Sequence, residues 1–298
     1  MATIRRVADD VYQIHPKLNF MFSLSYLVVG ERSALIDPGS TAQAKTVLQA
    51  LERQLEFDFS SLSYIIPTHL HVDHSGGTGY MAERVPDCRV VVYQRHARHL
   101  RDPEKLINAY KRSFGDDFAD KFGEVMPVSE SRVLTVEDGD TIELGGRSLK
   151  IIHTGGHAGH HICIYDDVTE GLFCGDALGM YFPAADDVVV VCPEGFDLHQ
   201  QLQSIERIRG MNPTLLFYAH EGVAEGTDHL TRRAVRELKE CGEITLNAFK
   251  QGENTGQVEG RLKDYFLNNV SGELDYDRMH LDLTVAGYRG YYEKLGWI

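Results

Sequence analysis

Short apolar runs separated by turn residues open the chain: VYQIH at 11–15, FSLSYLVVG at 22–30 and SALIDPG at 33–39. Runs of this length, with β-branched residues and Gly or Pro at their edges, predict strands. The period changes in TAQAKTVLQALERQL, 41–55, where apolar residues fall three and four apart. That spacing predicts a helix, with Thr41 as its candidate cap. SYIIPTH at 63–69 reads as strand, GTGYMAERV at 77–85 as helix and CRVVVY at 88–93 as strand, followed by an irregular helical stretch over 94–125. Strand patterns return from 132 to 175 as RVLTV, TIELG, SLKIIH, HICIYDD and GLFCG. An amphipathic helix at 197–211 and a strand, TLLFYAH, at 214–220 complete this part. Alternating strands and helices predict an α/β layer structure, and several strands in a row predict mixed sheets.

After Glu221 the pattern turns helical. Residues 224–298 form an expected helical extension, and residues 1–223 the expected catalytic domain. The extension is rich in aromatic residues: Phe249, Tyr265, Phe266, Tyr276, Tyr288, Tyr291, Tyr292 and Trp297. Helical spacing assigns them to a core. Net charge changes the functional picture: at −14 it argues against affinity for nucleic acid or anionic membrane. No run approaches the roughly 18 apolar residues of a spanning helix, and no apolar segment follows the N-terminal arginines. A cytoplasmic protein is the expectation. Its five cysteines are scattered, form no CxxC and are expected to be buried free thiols.

Candidate chemistry is concentrated in THLHVDHSGG, 68–77. In an extended backbone residues i and i+2 share a side, so His69 and His71 can reach one ion together. Asp73 and His74 follow beside Gly76 and Gly77, which are expected to let the chain bend. Imidazole and carboxylate suit zinc, iron or manganese. Four such groups within six residues exceed what one tetrahedral ion takes from a single loop, which suggests two ions. Three further groups stand at strand ends: His157 in HTGGHAGHH, Asp176 in LFCGDALG and His220 in LLFYAHEG.

The order H-x-H-x-D-H, a Gly-flanked His, Gly-Asp and a strand-end His resembles the metallo-β-lactamase superfamily, over about 220 residues. YLVVGERSALIDPGS resembles that family's opening hairpin and Asp-x-Gly turn. The resemblance implies an α/β fold, a four-layer αββα sandwich, here with a C-terminal helical extension. It implies that His69, His71 and His157 bind one metal, that Asp73, His74 and His220 bind a second, and that Asp176 bridges them. It further implies two divalent ions, zinc first with iron or manganese as alternatives, and a bridging hydroxide as nucleophile, which Asp73 helps to orient. Asp37 is the candidate for holding a ligating imidazole. The helical tail and the LFCGDALG stretch are similar to glyoxalase II-like and PqsE-type thioesterases, in which the tail covers the active-site mouth. Departures are Gly155-Gly156 in place of the usual Pro-Gly, the extra His160 and His161, and Glu221-Gly222 after the last histidine.

These features imply a metal-dependent hydrolase of an ester or thioester, with a lactone or phosphodiester as further substrate classes. An iron oxidoreductase such as a persulfide dioxygenase, and a regulatory binding protein with residual hydrolysis, are the readings from other classes. The expected partner is a small-molecule substrate, and a homodimer is compatible with the sequence. His160, His161, Met180, Tyr181 and Phe182 are candidate substrate contacts, weighed against packing roles. His153 reads as a histidine that supports a ligand from behind or as a packing histidine. The basic segment 94–112, with Arg95, Arg98, Arg101, Lys105, Lys111 and Arg112, reads as a solvated helix face, or else as a patch for an anionic substrate group.

Overall fold

The computed structural model describes residues 2–85, 87–269 and 280–298. Within the extension, residues 270–279, Tyr276 among them, lie outside the described residues. The chain forms two compact units: 1–153 with 162–173, and 154–161 with 174–298.

The first unit begins with β1 (Thr3–Ala8), β2 (Val11–His15), β3 (Ser25–Val28), β4 (Ser33–Ile36), α1 (Thr41–Leu55) and β5 (Leu62–Ile66). It continues through α2 (Val72–Ser75), α3 (Thr78–Arg84), β6 (Arg89–Tyr93), α4 (Arg98–Arg101), α5 (Glu104–Phe114), α6 (Phe118–Phe122) and β7 (Val133–Val136). Strands β1 to β7 form one sheet in sequence order. Its first four strands are antiparallel, and β4 to β7 run parallel. The parallel half follows from its connections: α1 and α3 each carry the chain back across the sheet. Both helices bury apolar residues there, with Val47, Leu51 and Met81 in one core with Leu35, Ile65 and Val90.

Ser40, not Thr41, caps α1: its backbone is still extended, and its side chain accepts from the Gln43 amide. Thr41 instead spends its hydroxyl on the carbonyls of Glu124 and Gly76. The strand β1 escaped the sequence pattern because TIRRVA is largely exposed and carries two arginines.

A second set of strands, β8 (Thr141–Glu143), β9 (Ser148–His153), β10 (Ile162–Asp166) and β11 (Gly171–Gly175), pairs antiparallel throughout. Tyr26 of β3 packs edge-on against Phe173 of β11 at 5.3 Å, which joins the two sheets of this unit. Arg147 adds a polar tie. It forms a bidentate pair with Asp166 (2.7 and 2.6 Å) and donates to the Asp9 carbonyl at 2.9 Å.

The second unit contains a hairpin, β12 (Met180–Phe182) with β13 (Asp187–Val189), then α7 (Leu198–Met211) and a second hairpin, β14 (Leu215–Tyr218) with β15 (Gly222–Ala224). Three helices follow: α8 (Thr227–Lys250), α9 (Thr255–Asn269) and α10 (Leu281–Leu295). Within 224–298 these three helices account for most of the described residues, while Ala224 ends β15 and residues 251–254 form the turn between α8 and α9. Phe266, Tyr288 and Tyr292 are buried in this unit, whereas Trp297 is exposed. All five cysteines are buried, and none of them is in a disulfide among the described residues. No helix among the described residues is long and apolar enough to cross a membrane.

Candidate metal centre

Residues 68–71 are a bend, not a continuation of β5, and His71 precedes the four-residue α2 that carries Asp73 and His74. The bend still brings the first two histidines together: His69 Nε2 lies 2.8 Å from His71 Nδ1. Gly76 and Gly77 have ordinary right-handed backbone angles, so sharp bending is not why they are glycines. Close approach is the reason at Gly77, where a Cβ would meet Ala44 Cβ at 2.6 Å and the Ser40 carbonyl oxygen at 2.7 Å. The ligand-bearing turn is thereby packed directly on the start of α1.

Asp37 anchors this turn. It holds a left-handed backbone (φ 49°), a strained conformation for a non-glycine residue. Its Oδ1 accepts from the Thr68 amide at 2.7 Å and from the Thr68 hydroxyl at 2.9 Å. Its Oδ2 lies 3.0 Å from His74 Nδ1. A carboxylate at that distance makes Nδ1 the protonated nitrogen of His74. In the neutral imidazole Nε2 then presents a lone pair, and it lies 3.5 Å from Asp73 Oδ2. Two further contacts brace the turn: Ser23 donates to the Asp73 carbonyl, and Tyr110 donates to the Leu70 carbonyl at 2.7 Å. Burial pushes the Tyr110 hydroxyl pKa up, so it stays a donor.

The second unit repeats this arrangement. His157 Nδ1 lies 3.0 Å from the Val191 carbonyl oxygen and must be protonated to bond to it. The His157 Nε2 lone pair then lies 3.2 Å from Asp176 Oδ2. His220, at the end of β14, places Nε2 3.4 Å from the other oxygen of Asp176. The backbone of Asp176 is itself held, since its amide donates to His161 Nε2 at 3.0 Å. His161 is fully buried, and its Nδ1 lies 2.8 Å from the Thr154 hydroxyl. Gly156 has φ 135°, and a Cβ there would meet the Gln201 backbone at 2.4 Å. Ser204 of α7 donates to the Gly155 carbonyl at 2.7 Å. The Gly-Gly pair that replaces Pro-Gly is thus held by α7 rather than by a proline ring.

With both imidazoles neutral, a lone pair faces a carboxylate at His74 with Asp73 and at His157 with Asp176, a repulsion that either a proton or a metal cation between the two groups relieves. His69, Asp73, His74, His157 and His220 are buried, and His71 and Asp176 are partly exposed. Burying so many charged or lone-pair groups favours a bound cation. The donor set, imidazole nitrogen and carboxylate oxygen, fits a divalent transition metal.

The remaining candidates lie as follows. His160 is half-buried. Met180 and Tyr181 are buried in the β12–β13 hairpin, with Tyr181 stacked on Tyr218 at 5.2 Å and its hydroxyl donating to Asp186. Phe182 is half-buried. His153 stacks on Tyr93 at 4.4 Å. All six basic residues of 94–112 are exposed, and Arg101 pairs with Glu130. Sequence reading missed Thr68, Ser23, Tyr110 and Thr154. Each is a buried hydroxyl-bearing residue; Thr68 and Thr154 stand inside the motif stretches but are not of a metal-ligating type, and Ser23 and Tyr110 lie outside any motif.

A family model described as the metallo-beta-lactamase superfamily matches residues 18–220. The chain belongs to this superfamily. A superfamily relative, a metallo-beta-lactamase fold-containing protein of Sulfurisphaera tokodaii, is 26% identical over 242 residues, 80% of this chain and 84% of the relative. A hydroxyacylglutathione hydrolase of Parasynechococcus marenigrum is 31% identical over 158 residues, 51% of this chain and 49% of the hydrolase. The chain thus spans about half the length of that hydrolase. In structure, a metallo-beta-lactamase family protein from Thermus thermophilus aligns with a TM-score of 0.71 at 21% identity, over 96% of this chain and 94% of the other. The α/β metallo-β-lactamase fold expected from the motif order is the fold of this superfamily member, helices at the C-terminal end included.

Proposed function

We propose that this chain is a metal-dependent hydrolase of a small ester or thioester, working with two divalent ions. The observation that carries the reading is the repeated placement of an imidazole Nε2 against a carboxylate oxygen, His74 with Asp73 and His157 with Asp176, each with Nδ1 already bonded on its far side. His69, His71, His157 and Asp176 would hold one ion, and Asp73, His74 and His220 the other. Bound there, the ions supply Lewis acidity, bringing a water toward ionisation at neutral pH and polarising an acyl carbonyl. The side chains do the rest. Asp37 and the Val191 carbonyl keep the Nδ1 protons of His74 and His157 in place, so that Nε2 stays available. Asp73 orients the attacking water through a carboxylate oxygen. His161 fixes the backbone of Asp176 and keeps its two oxygens toward His157 and His220.

Substrate class is supported by the hydroxyacylglutathione hydrolases among the relatives, which by name cleave an acyl-thiol ester. The helices α8 to α10 are proposed to cover the mouth of the site and limit substrate size. Replacing Asp176 by Ala tests the assignment. The variant is expected to lose dinuclear occupancy and to lose turnover of acyl-thioesters. Full occupancy and full turnover in D176A would refute it. Oxygen uptake with a persulfide, absent under this reading, separates the hydrolase from an iron dioxygenase.

A further inference from the structure

The orientation of His157 depends on a segment that the C-terminal helices grip from two sides. Residues 187–192 continue β13 toward α7, and Val191 supplies the carbonyl that receives His157 Nδ1 at 3.0 Å. Neither amide flanking Val191 is left to solvent. The Val190 amide donates to Glu237 Oε1 of α8 at 2.6 Å. The Cys192 amide donates to Thr284 Oγ1 of α10 at 3.3 Å. Gly287 of α10 lies so close to this segment that a Cβ there would meet the Cys192 carbonyl oxygen at 1.9 Å. At the start of the segment, Asp187 is paired with Arg233 of α8 at 2.7 Å.

Glu237 is the unusual member. Its side chain is fully buried, inside a helix whose neighbouring inward positions are Ala234, Leu238 and Cys241. Packing alone favours an apolar residue there, because a buried carboxyl costs free energy unless it makes a hydrogen bond that needs it. The hydrogen bond it makes is from the Val190 amide to Oε1, while Oε2 lies 3.6 Å from the buried Arg233 guanidinium of the same helix. A Leu at 237 would fill the space and leave that amide unsatisfied.

We propose that Glu237 is a positioning residue for the metal centre: by fixing the Val190 amide it fixes the Val191 carbonyl, which sets the tautomer and ring orientation of His157. The inference rests on the reading of His157 as a metal ligand. It makes α8 and α10 part of the apparatus that shapes the centre as well as part of the core.

Three variants of the full chain test it. E237Q keeps an acceptor oxygen, E237L removes it at similar volume, and T284V releases the neighbouring amide. Each is measured for zinc stoichiometry, for zinc affinity by chelator competition, for the visible spectrum of the cobalt-loaded protein and for melting temperature in excess chelator. Wild type is expected to hold two zinc ions. E237Q should match its affinity and spectrum. E237L should weaken one ion about tenfold, in the range seen when partners behind a ligand are lost, and shift the cobalt bands. T284V should show a smaller change in the same direction. A drop in melting temperature with affinity and spectrum unchanged would mean that Glu237 only packs, and would overturn the proposal. If E237L does not fold, T284V decides by the same criterion. Wild-type protein that holds no zinc would sink the reading of the site itself. Normal wild-type binding with unaffected variants would sink only this inference.

Discussion

Asp37 Oδ2 lies 3.0 Å from His74 Nδ1, while the other oxygen of the same carboxylate accepts both polar hydrogens of Thr68. One buried side chain therefore sets the tautomer of a candidate ligand and pins the turn that carries the remaining ligands of its loop. Replacing it by Ala removes both functions. Metal affinity is expected to fall about 10–100-fold. Stability of the chelated protein should fall by about 1–3 kcal/mol, because the Thr68 amide loses a buried partner. Chelator competition and urea denaturation measure the two effects separately. An affinity unchanged in D37A would remove Asp37 from the centre.

Much of the candidate centre could be read from the chain because strand ends and i, i+2 spacing are local properties. His69 and His71 meet as expected, even though the backbone bends where a strand was anticipated. His157, Asp176 and His220 stand at or just beyond strand ends. What escaped reading is the layer behind these groups. Thr68, Thr154 and Glu237 acquire roles only through partners 31, 7 and 47 residues away, which no local period encodes. Gly77 was legible as a glycine that matters, but for the wrong reason: the constraint is Ala44 on another helix, not a turn angle. The β12–β13 hairpin was missed because GMYFP and DVVVV are short and separated by a polar turn, while its burial comes from α8.

Glu237 also gives the stability a pH signature. Burial pushes its carboxyl up to about 8, although the Val190 amide and Arg233 pull it down; Asp187 adds to the rise and Arg236 opposes it. The folded state therefore holds a proton that the unfolded chain releases near 4.5. Its favourable contribution is complete below that value and is lost as pH climbs toward 8. E237Q keeps the acceptor and never ionises. Its stability relative to wild type, followed by chemical denaturation of chelated protein from pH 4 to 9, should be lowest below about 4.5, rise from there toward 8 and level off above it. A difference that stays flat over that range would mean that Glu237 is ionised in the folded protein throughout.

Arg147 and Asp166 provide the contrast of a buried ion pair outside the candidate metal centre. Both side chains are almost completely buried, and Thr169 adds further hydrogen bonds to Asp166. Replacing Arg147 by Met strands a buried carboxylate and is expected to cost about 3–5 kcal/mol. Zinc bound per folded chain should not change. A loss of less than about 1 kcal/mol, the value of an exposed pair, would show that Asp166 finds another partner or takes up a proton.

Elemental analysis of metal-replete protein, paired with anomalous diffraction at the edge of whichever metal is found, decides whether the lone-pair and carboxylate pairs exist to hold cations. Two ions per chain are expected, with one peak beside His157 Nε2 and one beside His74 Nε2. Fewer than one equivalent of any transition metal, or a single peak away from both imidazoles, would contradict it.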